Sequence, residues 1–228
     1  MHPPYYQFWS NDQTQFNWLT RVIDKDHDGY GIRPRFLGAF CPKCCSFDED
    51  AVFAIGWEQT AVRIRPRKNR NILKTEDDFL CVTETLLSVL VEAGVNGFEH
   101  KPLPGAGWQV LRITNRRKFD PKVYDTPKAG CAICKRVGNY GTVRFEREID
   151  LPKEELTFFS TDKPRGQGGY DIFVTDKLRE LLVASGAKGG ELHRLLTDEE
   201  EALEKENPKW KPKDVLVSLG QHRYTIND

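Results

Sequence analysis

The chain has 228 residues, 39% of them hydrophobic and 11% aromatic, which is enough for a packed core and too apolar for a disordered chain. Lys plus Arg number 34 and Asp plus Glu number 34, so the net charge of zero argues against a dedicated polyanion binder. No apolar run approaches the ~18 residues of a membrane span, and residues 1–7 lack the basic start and apolar run of a signal peptide; the sequence therefore implies a cytoplasmic protein with no membrane partner.

In chain order, residues 5–40 read as irregular and aromatic, with Tyr5, Tyr6, Phe8, Trp9, Phe16 and Trp18 ahead of the first cysteine pair. Asp24 to Gly29 resembles the opening of a calcium-binding loop. The twelfth position is Arg35, where a bidentate Glu is required, so the segment reads as an Asp/Gly turn. Cys41-Pro42-Lys43-Cys44 follows. Residues 51–57 and 60–64 are expected to be strands. After them comes a basic loop, Pro66 to Arg70, which completes a basic cluster of Arg63, Arg65, Arg67, Lys68 and Arg70. A helix is expected after Thr83, ending near Gly94, then a strand over 109–113. Residues 115–127 form a polar, basic connection with Arg116, Arg117 and Lys118. Cys131-Ala132-Ile133-Cys134 comes next, then strand candidates at 141–145 and 171–174 and a second helix from Thr175 to near Gly186. Thr197-Asp198-Glu199-Glu200 is a capping box opening an acidic helix to about Glu206, and 215–219 is a candidate closing strand.

Residues 82–103 and 174–195 align at an offset of 92, reading VTETLLSVLVEAGVNGFEHKPL and VTDKLRELLVASGAKGGELHRL; nine of the 22 positions are identical. Thr83 and Thr175 are N-caps, and Glu84 and Asp176 favour the helix dipole. Leu86 and Leu90 recur at helical spacing, as do Leu178 and Leu182. Gly94 and Gly186 stand where a left-handed residue ends a helix. Cys41 and Cys131 are offset by 90, nearly the same interval. The expectation is an α+β fold of two related β-rich halves, about residues 36–105 and 128–196. Each carries a CxxC turn and one main helix, within a single domain 1–228 that has a C-terminal extension at 197–228.

Two CxxC turns supply the four thiolates a tetrahedral structural zinc needs, and in a reducing compartment paired cysteines favour metal over disulfide. Cys41, Cys44, Cys131 and Cys134 are the candidate ligands, with 86 residues, 45 to 130, looped out between the pairs. Cys45 competes with Cys44 for that role, and Cys81, in an apolar stretch, reads as a buried core thiol. The alternative is two independent redox-active pairs, although neither turn opens an evident helix as a thioredoxin-like site requires. None of His2, His27, His100, His193 and His222 has HExxH spacing, and no GxSxG, P-loop or GxGxxG occurs. No catalytic residues are nominated.

The layout resembles the bacterial double-CXXCG motif proteins, some of which are immunity proteins of polymorphic toxin systems. The resemblance rests on Cys131-Ala132-Ile133-Cys134, Ile149-Asp150-Leu151-Pro152, the segment Tyr170 to Asp176, and the stretch from Leu181 to Gly189. The first half matches mainly through Cys41-Pro42-Lys43-Cys44. The family's glycine after each CxxC is replaced by Cys45 and Lys135. The resemblance implies a non-catalytic immunity protein that binds and neutralises a cognate toxin around a four-cysteine zinc. The alternative from the residues alone is a zinc-ribbon nucleic-acid binder, disfavoured by the zero net charge. Trp9, Trp57, Trp108 and Trp210 are expected to pack in the core before serving an interface.

Overall fold

A computed structural model describes residues 4–9, 19–24, 29–58, 69–105, 107–121, 131–134, 143–145, 155–162, 169–210 and 216–219. The fold is α+β, with strands and helices arranged on two separate main sheets. The predicted strand at 60–64, residues 66–68 of the basic loop and the segment 149–152 lie outside the described residues.

The first sheet contains β4 (Ile72–Lys74), β5 (Leu80–Thr83), β6 (Phe98–Leu103) and β7 (Trp108–Ile113) in the order β4-β5-β7-β6, with helix α2 (Glu84–Glu92) leaving the end of β5. The second contains β1 (Tyr5–Trp9), β8 (Arg116–Arg117), β11 (Phe158–Thr161), β12 (Ile172–Thr175), β13 (Glu191–Arg194) and β14 (Leu216–Ser218). Its order is β14-β13-β1-β12-β11-β8, and helix α3 (Asp176–Ala184) leaves the end of β12. Two smaller ladders pair β2 (Arg21–Asp24) with β3 (Gly29–Ile32), and β9 (Phe119–Pro121) with β10 (Val143–Phe145).

The helices form as their caps dictate. Thr83 Oγ1 accepts the Leu86 N–H and Thr175 Oγ1 accepts the Leu178 N–H, 92 residues apart. Gly94 and Gly186 close the helices at φ 73° and 68°. Helix α4 (Asp198–Glu206) opens on the capping box of Thr197 and Glu200.

The same correspondence extends to the ladders. Val82 pairs with Ile72 where Val174 pairs with Phe158. Thr83 pairs with Trp108 where Thr175 pairs with Tyr5. Pro102 pairs with Gln109 where Arg194 pairs with Tyr6. The arrangement β4-β5-β7-β6 thus has its counterpart in β11-β12-β1-β13. The strand between helix-bearing strand and outer strand is β7 in one sheet and the N-terminal β1 in the other.

Each helix exit also grips the opposite sheet. Asn96 donates to Leu156 O and accepts from the Phe158 N–H, while Lys188 O accepts from the Asn71 and Ile72 N–H groups. Gly97 and Gly189 both have positive φ, and a Cβ on either would overlap a backbone carbonyl, that of Phe158 or of Ile72. Only glycine fits these two crossings.

One apolar core lies between the two sheets and takes the same positions from each: Val82 and Val174, Leu86 and Leu178, Leu90 and Leu182, Val95 and Ala187. A second core covers the far face of the first sheet. There Phe36, Phe47, Phe53 and Trp57 pack on Leu73, Cys81, Trp108 and Val110.

Two expectations are corrected. Residues 51–57 do not form a strand: helix α1 spans Glu49–Ile55. Asp48 caps it by accepting the Ala51 N–H, Glu49 and Asp50 favour its dipole, and Gly56 at φ 71° ends it. A short apolar run does not by itself separate a buried helix from a strand. Residues 5–40 are not irregular throughout. Their described part supplies β1, β2, β3 and a 3-10 helix, Pro34–Ala39. Leu19 and Thr20 are held by Asp77 Oδ2, which accepts both backbone N–H groups at 2.9 and 2.7 Å and the Thr20 hydroxyl at 2.7 Å.

Candidate metal centre

The first CxxC turn sits between the 3-10 helix and α1. An antiparallel bridge joins Phe40 to Phe47, the Cys41 N–H donates to Ser46 O at 2.8 Å, and the Cys45 N–H returns to Cys41 O at 2.9 Å. This closed loop aims the Cys41 and Cys44 thiols the same way. Cys45 completes it at φ 54°, a left-handed conformation that favours glycine. The backbone therefore takes at this position a shape that glycine adopts more readily, with a cysteine in place. Cys45 is exposed and stands apart from the thiol cluster, so Cys44 is the clustered residue of the two.

The second turn, residues 131–134, brings its pair onto the first. Cys41 Sγ lies 3.7 Å from Cys131 Sγ, and Cys44 Sγ lies 3.5 Å from Cys134 Sγ. All four sulfurs fall within 4.8 Å of one another. A tetrahedral zinc with Zn–S near 2.3 Å requires sulfur–sulfur edges of about 3.8 Å. The donor set is compatible with a metal such as zinc. With four protein ligands such a centre has no open position for substrate, unlike a catalytic zinc site.

The surroundings favour thiolate, the ligand form. The Cys44 thiol is lowered from 9.0 to about 6, chiefly by the Ser46 hydroxyl 3.2 Å away and then by the Ser46 N–H. Cys131 is also lowered, first by the backbone N–H of Cys134 and then by that of Ile133. Ser46 is a supporting residue that spacing alone does not single out. Cys81, on β5, faces the second core, and burial pushes its thiol well above the ordinary value. It is a core thiol, as its apolar context suggests.

The remaining candidates scatter. His193 lies on β13 with Nε2 3.2 Å from Glu191, and His100 lies on β6 near Gln109; His2, His27 and His222 lie outside the described residues. Trp57 and Trp108 are buried, whereas Trp9 is 42% exposed and rests against His193. Of the basic residues at 112–118, Arg112 is tied to Asp50 and Glu99, and Arg116 to Asp50 at 2.6 Å, with its guanidinium 4.0 Å from the Tyr170 ring centroid. These arginines are engaged in ion pairs within the fold. Beside them Glu49 is buried, and desolvation raises its carboxyl to about 7 despite Arg116.

No protein-family model and no curated protein matches the chain. Among the described residues no helix is long and apolar enough to cross a membrane.

Proposed function

We propose that this protein is a non-catalytic immunity protein that neutralises a cognate bacterial toxin in the cytoplasm, on a scaffold clasped by a structural four-cysteine zinc. The observation that carries the scaffold reading is the all-thiolate cluster assembled from two turns 90 residues apart. Its sulfur spacing suits tetrahedral zinc, and its four protein ligands leave the ion no catalytic position. The toxin reading adds the resemblance of the double-CxxC layout to the double-CXXCG proteins. On this reading the cysteines hold the surfaces in place and do not themselves touch the toxin. The matched ladders, helices and reciprocal glycine crossings support the inference that two copies of one unit share the metal.

The metal is tested by elemental analysis of purified protein, with about one zinc per chain expected. A stringent chelator should lower the unfolding temperature, and Cys41→Ser and Cys131→Ser should each cost the zinc. A metal-free protein of undiminished stability refutes the zinc. The immunity function is tested by co-expression with the product of the adjacent gene. Rescue of growth and recovery of a stoichiometric complex are expected; a harmless neighbour, or toxicity that this chain does not relieve, overturns it.

A further inference from the structure

The match between the two sheets exposes one position that is filled in the second and open in the first. In the second sheet β13 is paired on both sides, with β1 and with β14. Its counterpart 92 residues earlier is β6, which pairs with β7. Among the described residues no strand pairs with the other edge of β6. Glu99 and His100, in the middle of that strand, are exposed.

The phase of the open edge follows from its counterpart. Leu195 N–H donates to Tyr5 O, toward β1, whereas Gly190 O accepts from the Leu219 N–H beyond β14. In an antiparallel ladder alternate residues turn their N–H and C=O to opposite edges. Carried back by 92, Glu99, Lys101 and Leu103 face β7, and Phe98, His100 and Pro102 face outward. Pro102 agrees with this phase, because proline is tolerated in a strand where its nitrogen faces away from the ladder. The open edge thus offers N–H and C=O at Phe98 and His100, and C=O alone at Pro102.

We propose that this edge docks the same edge of a second copy of the chain, antiparallel about a two-fold axis at His100. Charge selects both occupant and register. Centred on His100, Glu99 of each copy, which Arg112 of its own chain also holds, opposes Lys101 of the other, whose ammonium also donates to Ala54 O, giving two unlike pairs across the strands. Centring on Glu99 or on Lys101 would set like charges opposite each other. The His100 register also forms four backbone hydrogen bonds. His100 N–H meets His100 C=O in both directions, and Phe98 N–H meets Pro102 C=O in both directions. The two four-stranded sheets become one of eight. The ladder is short, like the three-residue β13–β14 ladder, and the contact belongs to the weak class burying less than about 1,200 Å². Lys101 and Pro102 still blunt the edge against open-ended pairing. This proposal rests on the correspondence of the two sheets and is independent of any toxin.

Sedimentation equilibrium of the full zinc-loaded chain over a wide concentration range tests it. The mass is expected to rise toward twice that of the chain. His100→Pro removes both central donors and leaves the β6–β7 ladder intact, so it should hold the protein monomeric with little change in unfolding temperature. Lys101→Glu sets a carboxylate against Glu99 of the second copy and should weaken the dimer about tenfold. It also decides the matter if His100→Pro fails to fold. A wild type that stays monomeric up to the millimolar range, or a dimer that Lys101→Glu leaves unchanged, overturns the proposal.

Discussion

The two sheets reach the same four-strand arrangement by different chain paths. In the first, β6 turns directly into β7, and β7 returns between β6 and β5. In the second, the chain leaves β13 for α4 and β14, and the middle position is taken by β1 from the other end of the sequence. The registers nonetheless agree residue for residue across β5 and β12, β6 and β13, and β7 and β1. Pairing and burial therefore set the arrangement, and connectivity does not. Phe8 of β1 enters the shared core as Leu111 of β7 does, whereas Tyr6 joins the core where its counterpart is the buried Gln109. The cost falls on folding. A local turn completes the first sheet, whereas the second must recover the distant N-terminus before it is complete.

If the two assemblies are equivalent, paired substitutions should have matched effects. The largest are expected at the glycine crossings. Gly97→Ala and Gly189→Ala each force a side chain into a left-handed position against a backbone carbonyl. Each should cost about 4 kcal/mol in chemical unfolding, or prevent folding outright. A harmless substitution at either one breaks the equivalence. Next come Leu86→Ala and Leu178→Ala, both cavity-forming in the shared core, at about 3 kcal/mol each.

The third test falls on one side only. Glu49 is faced by Arg116, Asp50 and Lys74 and by the backbone of Tyr170, and its carboxyl rises from 4.5 to about 7. A pKa raised on folding keeps the proton on the folded chain after the unfolded chain has released it. Its contribution is thus fully present below pH 4.5 and lost as pH rises toward 7. The loss is on the order of 3 kcal/mol, and Glu49→Gln should flatten unfolding curves over that window. An unchanged slope in the variant would exclude Glu49 as the source.

Smaller effects sharpen the comparison. Thr83→Ala should cost about 1 kcal/mol as a lost cap. Thr175→Ala should cost about 2 kcal/mol, because its hydroxyl also donates to Glu155 O at 2.5 Å. Cys45→Gly should stabilise the first turn by up to about 1 kcal/mol by relieving its left-handed backbone, without changing the zinc content.

Much of the local structure was legible in the chain. The Thr83 and Thr175 caps, the closing Gly94 and Gly186, and the Thr197 capping box are near-neighbour interactions, and each signal lies within a few residues of its partner. The four cysteines were legible as a set because CxxC is itself a local geometry. The strand assigned at 51–57 failed because its apolar run is equally consistent with a buried helix, and the deciding Asp48 cap lies just outside it. Glu49 stands in the run Asp48-Glu49-Asp50, which carries no local sign of burial. Its burial arises only when α1 meets Arg116 and the Gly169–Tyr170 backbone.

By itself, then, the sequence determined helices α2, α3 and α4 with their caps, the two cysteine pairs and the interval of 92 at which the pattern recurs, all through contacts short in sequence. Tertiary structure alone decided that the aromatic N-terminus is a central strand, that the two helix exits grip each other's sheets, and that the two cysteine pairs meet. Those outcomes depend on shared burial and on backbone pairing between segments far apart, which no short window of sequence contains.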